Sequence, residues 1–158
     1  MSILNKMHRG HGEKTESAPK FWLIGALILL ILISVLVALH SNGTVLNADG
    51  EQFKLEVETS PAGQAKGLGG RSSLPQDKGM LFVFPTVAIQ CFWMKDMKFP
   101  IDMIWTNPTK QVVHIQANVS PSTYPNTFCP STPAKYVIEL NAGATARANI
   151  TTSQTLNF

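Results

Sequence analysis

Two acidic residues, Asp102 and Glu139, carry the most promising acid–base chemistry in the sequence. Each falls in a predicted strand on the face opposite a stripe of apolar residues, so we expect both carboxylates on one surface. Two carboxylates can act as the acid and the base of a hydrolase, or can bind a polar ligand. The alternative is ion pairing that fixes the strands. Whether the protein is an enzyme stays open, and binding or structural pairing is the preferred interpretation.

Three further residues could complete a polar ligand-binding surface: Arg71, Trp93 and Lys95. A regular strand would place Trp93 and Lys95 on one face, because they alternate with Phe92 and Met94. An exposed Trp beside polar residues is typical of a surface that stacks on a sugar ring or docks a peptide, whereas a core Trp is the alternative. The predicted ligand-binding residues are therefore Arg71, Trp93, Lys95, Asp102 and Glu139.

No metal site and no cofactor are predicted. Beyond residue 40 the chain has one histidine, His114, and two distant cysteines, which match no usual zinc spacing. A Ser-His-Asp triad would need His114, but no G-x-S-x-G sequence accompanies it. Cys91 and Cys129 are a disulfide candidate in an oxidising compartment. Two inert thiols, or a reactive thiol at Cys129, are the alternatives.

Short β-strands are predicted to position these residues. Asp49-Gly50 is a hairpin signal between two alternating segments, and Ser60-Pro61 begins a helix of at most two turns. Further strands are predicted at 79–84, 92–94, 99–105, 112–119 and 136–141, with one or two around Ile150 and Leu156. Six to eight short strands with one short helix and no βαβ alternation predict a mainly β fold, as a compact β-sandwich or barrel-like domain.

Residues 21–39 form an apolar stretch, FWLIGALILLILISVLVAL, without any charged side chain. Nineteen helical residues span about 28 Å, close to the ~30 Å hydrocarbon core of a bilayer. Four basic residues precede the stretch and none follows before Lys54, which predicts an N-terminus on the inside. We expect a single-pass signal-anchor helix in the cytoplasmic membrane; a cleaved signal peptide and a buried helix are the alternatives. The predicted organisation is a cytoplasmic tail (1–20), the helix (21–39), a linker (40–43) and an extracytoplasmic domain (44–158).

Charge argues against a nucleic-acid partner. Beyond residue 40, nine Lys and Arg minus eight Asp and Glu leave +1, so most of the overall +3 belongs to the N-terminal tail. A nucleic-acid groove needs clustered basic residues, which a nearly neutral domain lacks. The expected partners are the lipid bilayer, through residues 21–39, and a cell-envelope glycan or peptide.

Four ordered blocks resemble a known family: GLGGRSSL at 67–74, GMLFVF at 79–84, FWMKDMKFPIDMIW at 92–105 and KYVIELNAG at 135–143. Together, over residues 44–158, they resemble the bacterial and archaeal domain of unknown function 192. The family usually has Met at the position of Gly69, and often Asn-Thr at that of Asp96-Met97. The resemblance implies a compact β-rich fold and no established activity. The functional hypothesis is a binding or scaffolding module for envelope glycan or peptide; an envelope hydrolase using Asp102 and Glu139 is the alternative.

Overall fold

The computed structural model describes residues 20–39 and 43–158. The chain divides into two compact units, Met1–His40 and Ser41–Phe158. In the first unit, helix α1 covers Lys20–Leu39, and its side chains are described, all of them exposed, for residues 22–34. No helix in the described part of the chain is long and apolar enough to cross a membrane. Residues 1–19 of the predicted tail and 40–42 of the predicted linker lie outside the described residues.

The second unit is mainly β, as predicted. Its strands are β1 (Gly43–Ala48), β2 (Glu51–Glu58), β3 (Lys78–Ala88), β4 (Phe92–Trp93), β5 (Ile101–Thr106), β6 (Val112–Val119), β7 (Thr127–Phe128) and β8 (Ala134–Asn141). Its short helices are α2 (Pro61–Lys66), α3 (Ala144–Arg147) and a 3₁₀ turn (Pro121–Thr123). The predicted hairpin turn is present between β1 and β2, where Asp49 and Gly50 both have positive φ, at 45° and 80°.

Six strands form one open mixed sheet in the order β1-β2-β3-β8-β5-β6, and β4 pairs with β7 in a separate two-stranded ribbon. The predicted β-sandwich or barrel-like arrangement is therefore wrong in detail. Strand β2 runs parallel to β3, and α2 lies in the connection between them. The expected absence of βαβ alternation is also wrong, because a crossover helix of only six residues leaves little helical periodicity in the sequence.

Helix α2 begins as the sequence predicts. The Ser60 hydroxyl accepts a hydrogen bond of 3.1 Å from the N–H of Gly63, and Pro61 occupies the first helical position. The helix ends at Gly67, whose φ of 50° reverses the chain direction. This reversal leads into the loop 67–71, which lies over one face of the sheet and forms part of the candidate site.

Both faces of the sheet are buried at the inner strand β5, all of whose residues are inaccessible to solvent. Residues of one face, among them Leu55, Ile104 and Leu140, form a core with α3. Residues of the opposite face, among them Phe82 and Met103, form a second core with the loop after α2 and the ribbon. The second core borders the candidate site.

The predicted last strands around Ile150 and Leu156 are replaced by α3 and by isolated bridges. Asn157 bridges to Asn47 of β1, and Thr155 bridges to Gln111, which precedes β6. The C-terminal segment therefore contacts both outer parts of the sheet without forming a strand of its own. Its polar Thr and Asn residues resemble those of a solvent-facing strand, which explains the wrong prediction.

Candidate functional site

The pairing of β5 with β8 separates the two acidic residues that the sequence places together. Met103 lies opposite Glu139, and Asp102 lies opposite Leu140. Residues paired across neighbouring strands share a face, so Asp102 and Glu139 point to opposite faces of the sheet. The prediction of one shared surface is wrong. Alternation defines two faces within each strand, but only the pairing tells which faces coincide.

Asp102 is a fully buried structural residue. Its Oδ1 accepts from the N–H of Asn118 at 2.8 Å, and its Oδ2 accepts from the N–H and the hydroxyl of Thr145 at 2.9 and 2.7 Å. Asn118 has a positive φ of 54° next to a register shift between β5 and β6. The carboxyl of Asp102 thus joins an irregularity in the sheet to the first turn of α3. These bonds, not a ligand, account for its position.

Glu139 is buried on the other face, with 4% of its surface exposed. Burial raises the pKa of Glu139 from 4.5 to about 8, against the opposing effects of the Leu68 N–H and the positive charge of Arg71. The carboxyl is therefore mostly protonated at neutral pH. Its Oε2 has no hydrogen-bond partner among the described residues. Buried polar atoms without partners are uncommon, which makes this atom a candidate ligand contact.

Glu139 borders a cavity of about 230 Å³. Aromatic side chains build much of its wall: the ring of Phe92 packs edge-on against Phe82 and Phe84, with centroids 4.9 and 6.2 Å apart. The lining residues are Gln64, Ala65, Lys66, Gly67, Leu68, Phe82, Phe84, Gln90, Cys91, Phe92, Trp93, Lys95, Met97 and Glu139. A carboxyl at a cavity that aromatic rings also line is suited to a ligand with polar edges and an apolar face.

Trp93 and Lys95 line this same cavity. Trp93 is 45% exposed, so the core interpretation of this residue is wrong. The Lys95 Nζ lies 5.9 Å from the centroid of the Trp93 ring, and the Tyr124 ring lies 6.4 Å from it. Strand β4 ends at Trp93, so a turn, rather than a regular strand, brings Lys95 to the same surface.

Arg71 lies in a neighbouring depression of about 450 Å³ that shares Lys66 and Gly67 with the cavity. Its guanidinium donates two hydrogen bonds, of 2.8 and 2.7 Å, to the carboxylate of Glu56. This pairing lowers the pKa of Glu56 and raises that of Arg71. Arg71 therefore affects Glu139 through its charge and does not line the cavity.

Cys91 and Cys129 are joined as a disulfide in the structure. They flank the paired residues Phe92 and Phe128 of the β4–β7 ribbon, and Cys91 also lines the cavity. The disulfide thus holds one wall of the site. Within residues 20–39 and 43–158, no group of three or more His, Cys, Asp or Glu side chains could hold a metal ion.

Sequence reasoning missed the contribution of the α2 segment, including Gln64, Lys66 and Leu68. The Gln64 side chain donates to the carbonyl of Val83 at 2.9 Å, which fixes it beside the cavity. The Ser60-Pro61 pair and the glycines that follow it predicted the helix and its end. They did not predict that the helix would pack beside β3 at the cavity.

Comparisons with known proteins agree with this fold. Residues 44–158 match the family DUF192, described as an uncharacterized ACR, and the chain belongs to that family. A crystal structure of a protein of unknown function from Novosphingobium aromaticivorans DSM 12444 is similar, with 28% identity and a TM-score of 0.68, over 73% of this chain and 85% of that one. A candidate transcription regulator from Sinorhizobium meliloti 1021 has 27% identity and a TM-score of 0.66, over 72% and 89% of the two chains. No curated protein matches the sequence.

Proposed function

We propose that the domain is a binding module for a cell-envelope glycan, with one sugar ring held in the cavity beside Glu139. The observation that carries the proposal is the unpartnered Oε2 of this buried carboxyl at an aromatic-walled cavity. A buried polar atom without a partner is unfavourable by about 1–3 kcal/mol. A ligand hydroxyl that bonds to it would remove that penalty. A protonated carboxyl can donate one hydrogen bond and accept others, as hydroxyl groups require.

The wall of the cavity supports a sugar rather than an extended peptide. The half-exposed ring of Trp93 offers an apolar plane at the cavity, and sugar rings have an apolar face that stacks on such planes. The cavity volume of about 230 Å³ suits one ring. Strand addition, the common mode of peptide recognition, would use a sheet edge, whereas the cavity lies over β3 and β8 inside the sheet.

This fold separates Asp102 and Glu139, the two carboxylates that the hydrolase hypothesis requires. Paired-carboxylate glycosidases have their two acids about 5–10 Å apart on either side of the bond that they cleave. Asp102 faces the opposite core and is saturated by bonds to Asn118 and Thr145. Glu139 alone supports binding, and we do not propose hydrolysis.

We also propose that residues 21–39 anchor the protein in the cytoplasmic membrane, with residues 1–20 inside and 44–158 outside. The support is the sequence: nineteen uncharged residues preceded by four basic ones. Protease added to intact cells or spheroplasts should digest the C-terminal domain. Protection in spheroplasts, followed by digestion after lysis, would contradict this topology.

The binding proposal is tested by titrating the full-length chain in mild detergent with soluble fragments of envelope glycan, using calorimetry. Trp93→Ala should weaken binding about fivefold or more, since stacking on an aromatic ring contributes about 1–3 kcal/mol. Glu139→Leu should weaken it similarly, while Glu139→Gln should retain most of it. Trp22→Ala is the matched control, because Trp22 lies on α1, outside the cavity. Equal affinity in all four variants, or binding of envelope peptides alone, would refute the proposal.

A further inference from the structure

Two lysines border the cavity, Lys66 at the end of α2 and Lys95 after β4. Both are exposed, and neither takes part in the ion pairs that the described residues form, which join Lys54 to Asp77 and Arg71 to Glu56. Their positive charges are therefore available to a ligand. The two lysines also line a third depression, together with Asp96, and Glu139 is not among the residues that line it. One acid there leaves the pair of lysines with a net positive charge.

The remaining cavity surface carries no opposing charge at neutral pH. Glu139 is the single acidic residue among those that line it, and burial raises its pKa to about 8, so that its carboxyl is mostly neutral at pH 7. In the neighbouring depression Glu56 is paired with Arg71, whereas Glu58 keeps its charge and accepts hydrogen bonds from Ser60. An anion entering the cavity therefore meets two cations and a hydrogen-bond donor. An uncharged ligand forms no ion pair with the lysines, and a cation is repelled by them.

We infer that the sugar bound in this cavity is an acidic one, whose carboxylate pairs with Lys66 and Lys95 while its hydroxyls bond to Glu139. This inference rests on the proposed glycan-binding function and specifies its ligand class. Hexuronic acids and lactyl-ether hexosamines share the required chemistry, a pyranose ring with one carboxylate. The lysines select the charge, and the aromatic wall accommodates the ring.

The test compares sugars that differ only in the acidic group. Calorimetric titrations of the full-length chain in mild detergent, at pH 7 and low salt, use N-acetylglucosamine against N-acetylmuramic acid, and glucose against glucuronic acid. We expect the acidic member of at least one pair to bind about tenfold more tightly, because an exposed ion pair contributes roughly a two- to fivefold gain and two lysines contribute here. The pair that shows the preference identifies which kind of acidic sugar fits.

Lysine variants test whether the preference for acidic sugars comes from the two lysines at the cavity. Lys66→Gln and Lys95→Gln should each reduce the acid preference about threefold, and the double variant should abolish it. Affinity for the neutral sugar should stay unchanged. Lys98→Gln, on an exposed lysine in the same loop but outside the cavity, should keep the full preference. The preference should also fall with added salt.

The possible outcomes separate the two proposals. Equal binding of neutral and acidic sugars would overturn the acidic-sugar inference and leave the glycan-binding proposal standing. An acid preference that survives in the double lysine variant would overturn the assignment to Lys66 and Lys95. Absence of binding by all four sugars would overturn the acidic-sugar inference, and absence of binding by the larger glycan fragments as well would overturn both proposals.

Discussion

Replacing Glu139 by Gln should remove a large part of the pH dependence of stability between pH 5 and 8. The folded protein holds a proton on Glu139 up to about pH 8, whereas the unfolded chain loses it near the ordinary value of 4.5. Glutamine has nearly the same shape as glutamic acid and no charge. The Glu139→Gln variant therefore keeps the packing and loses the titration.

The sign and size follow from this difference in pKa. Between pH 4.5 and about 8 the unfolded chain binds fewer protons than the folded one, so the free energy of unfolding falls as pH rises. The stabilisation is fully present below pH 4.5 and is lost as pH rises through about 8. The slope is about 1.4 kcal/mol per pH unit, and the whole interval amounts to about 5 kcal/mol, as an order of magnitude.

The measurement is urea unfolding of the full-length chain at pH 5, 6, 7 and 8, followed by tryptophan fluorescence, since Trp105 is fully buried. The native-minus-variant difference in free energy of unfolding should fall steadily across this range. Glu56→Gln is the control, because the pKa of Glu56 is lowered and its contribution is lost only as pH falls into the acid range. If the free energies of unfolding of the native protein and the Glu139→Gln variant change in parallel with pH, the conclusion that Glu139 is buried and protonated is refuted.

Three further changes test the fold that holds the site. Asp102→Ala should lower the free energy of unfolding by about 3 kcal/mol or more, since three donors on Asn118 and Thr145 lose their acceptor; urea unfolding within about 1 kcal/mol of the native value would contradict this role. Gly79→Ala should destabilise by about 1–3 kcal/mol, because its Cβ would lie 2.7 Å from the Glu139 carbonyl oxygen; an unchanged melting temperature would show that the strands can separate. Maleimide should label neither Cys91 nor Cys129 before reduction, and labelling of the native protein would exclude the disulfide. Because the disulfide joins cysteines 38 residues apart, its reduction should lower the free energy of unfolding by about 4 kcal/mol.

Local patterns in the sequence predicted local structure well. The predicted strand 112–119 has the observed bounds of β6, and the Ser60-Pro61 signal gave the start of α2. The alternation in β8 correctly placed Glu139 on the face opposite Ile138 and Leu140, because side-chain direction within a strand depends only on its own period.

The same sequence patterns could not predict which distant strands pair with each other. The parallel alignment of β2 with β3 and the ribbon of two-residue strands depend on contacts between distant segments. The raised pKa of Glu139 has the same origin, because the Leu68 loop that covers it lies about seventy residues earlier in the chain. Trp93, Lys95 and Glu139 were named from their residue types, whereas their common cavity could be found only in the folded molecule.

The C-terminal residues 154–157 have a consequence for handling this protein. The N–H of Asn47 donates to the carbonyl of Asn157 at 3.0 Å, and the N–H of Val112 donates to that of Gln154 at 2.8 Å. An edge strand with unpaired N–H and C=O groups can pair with a strand of another molecule, and many β-sheet proteins begin to aggregate in this way. Removal of residues 154–158 would expose the edges of β1 and β6 together. Variants truncated before residue 154 should therefore aggregate, even though the cavity is untouched.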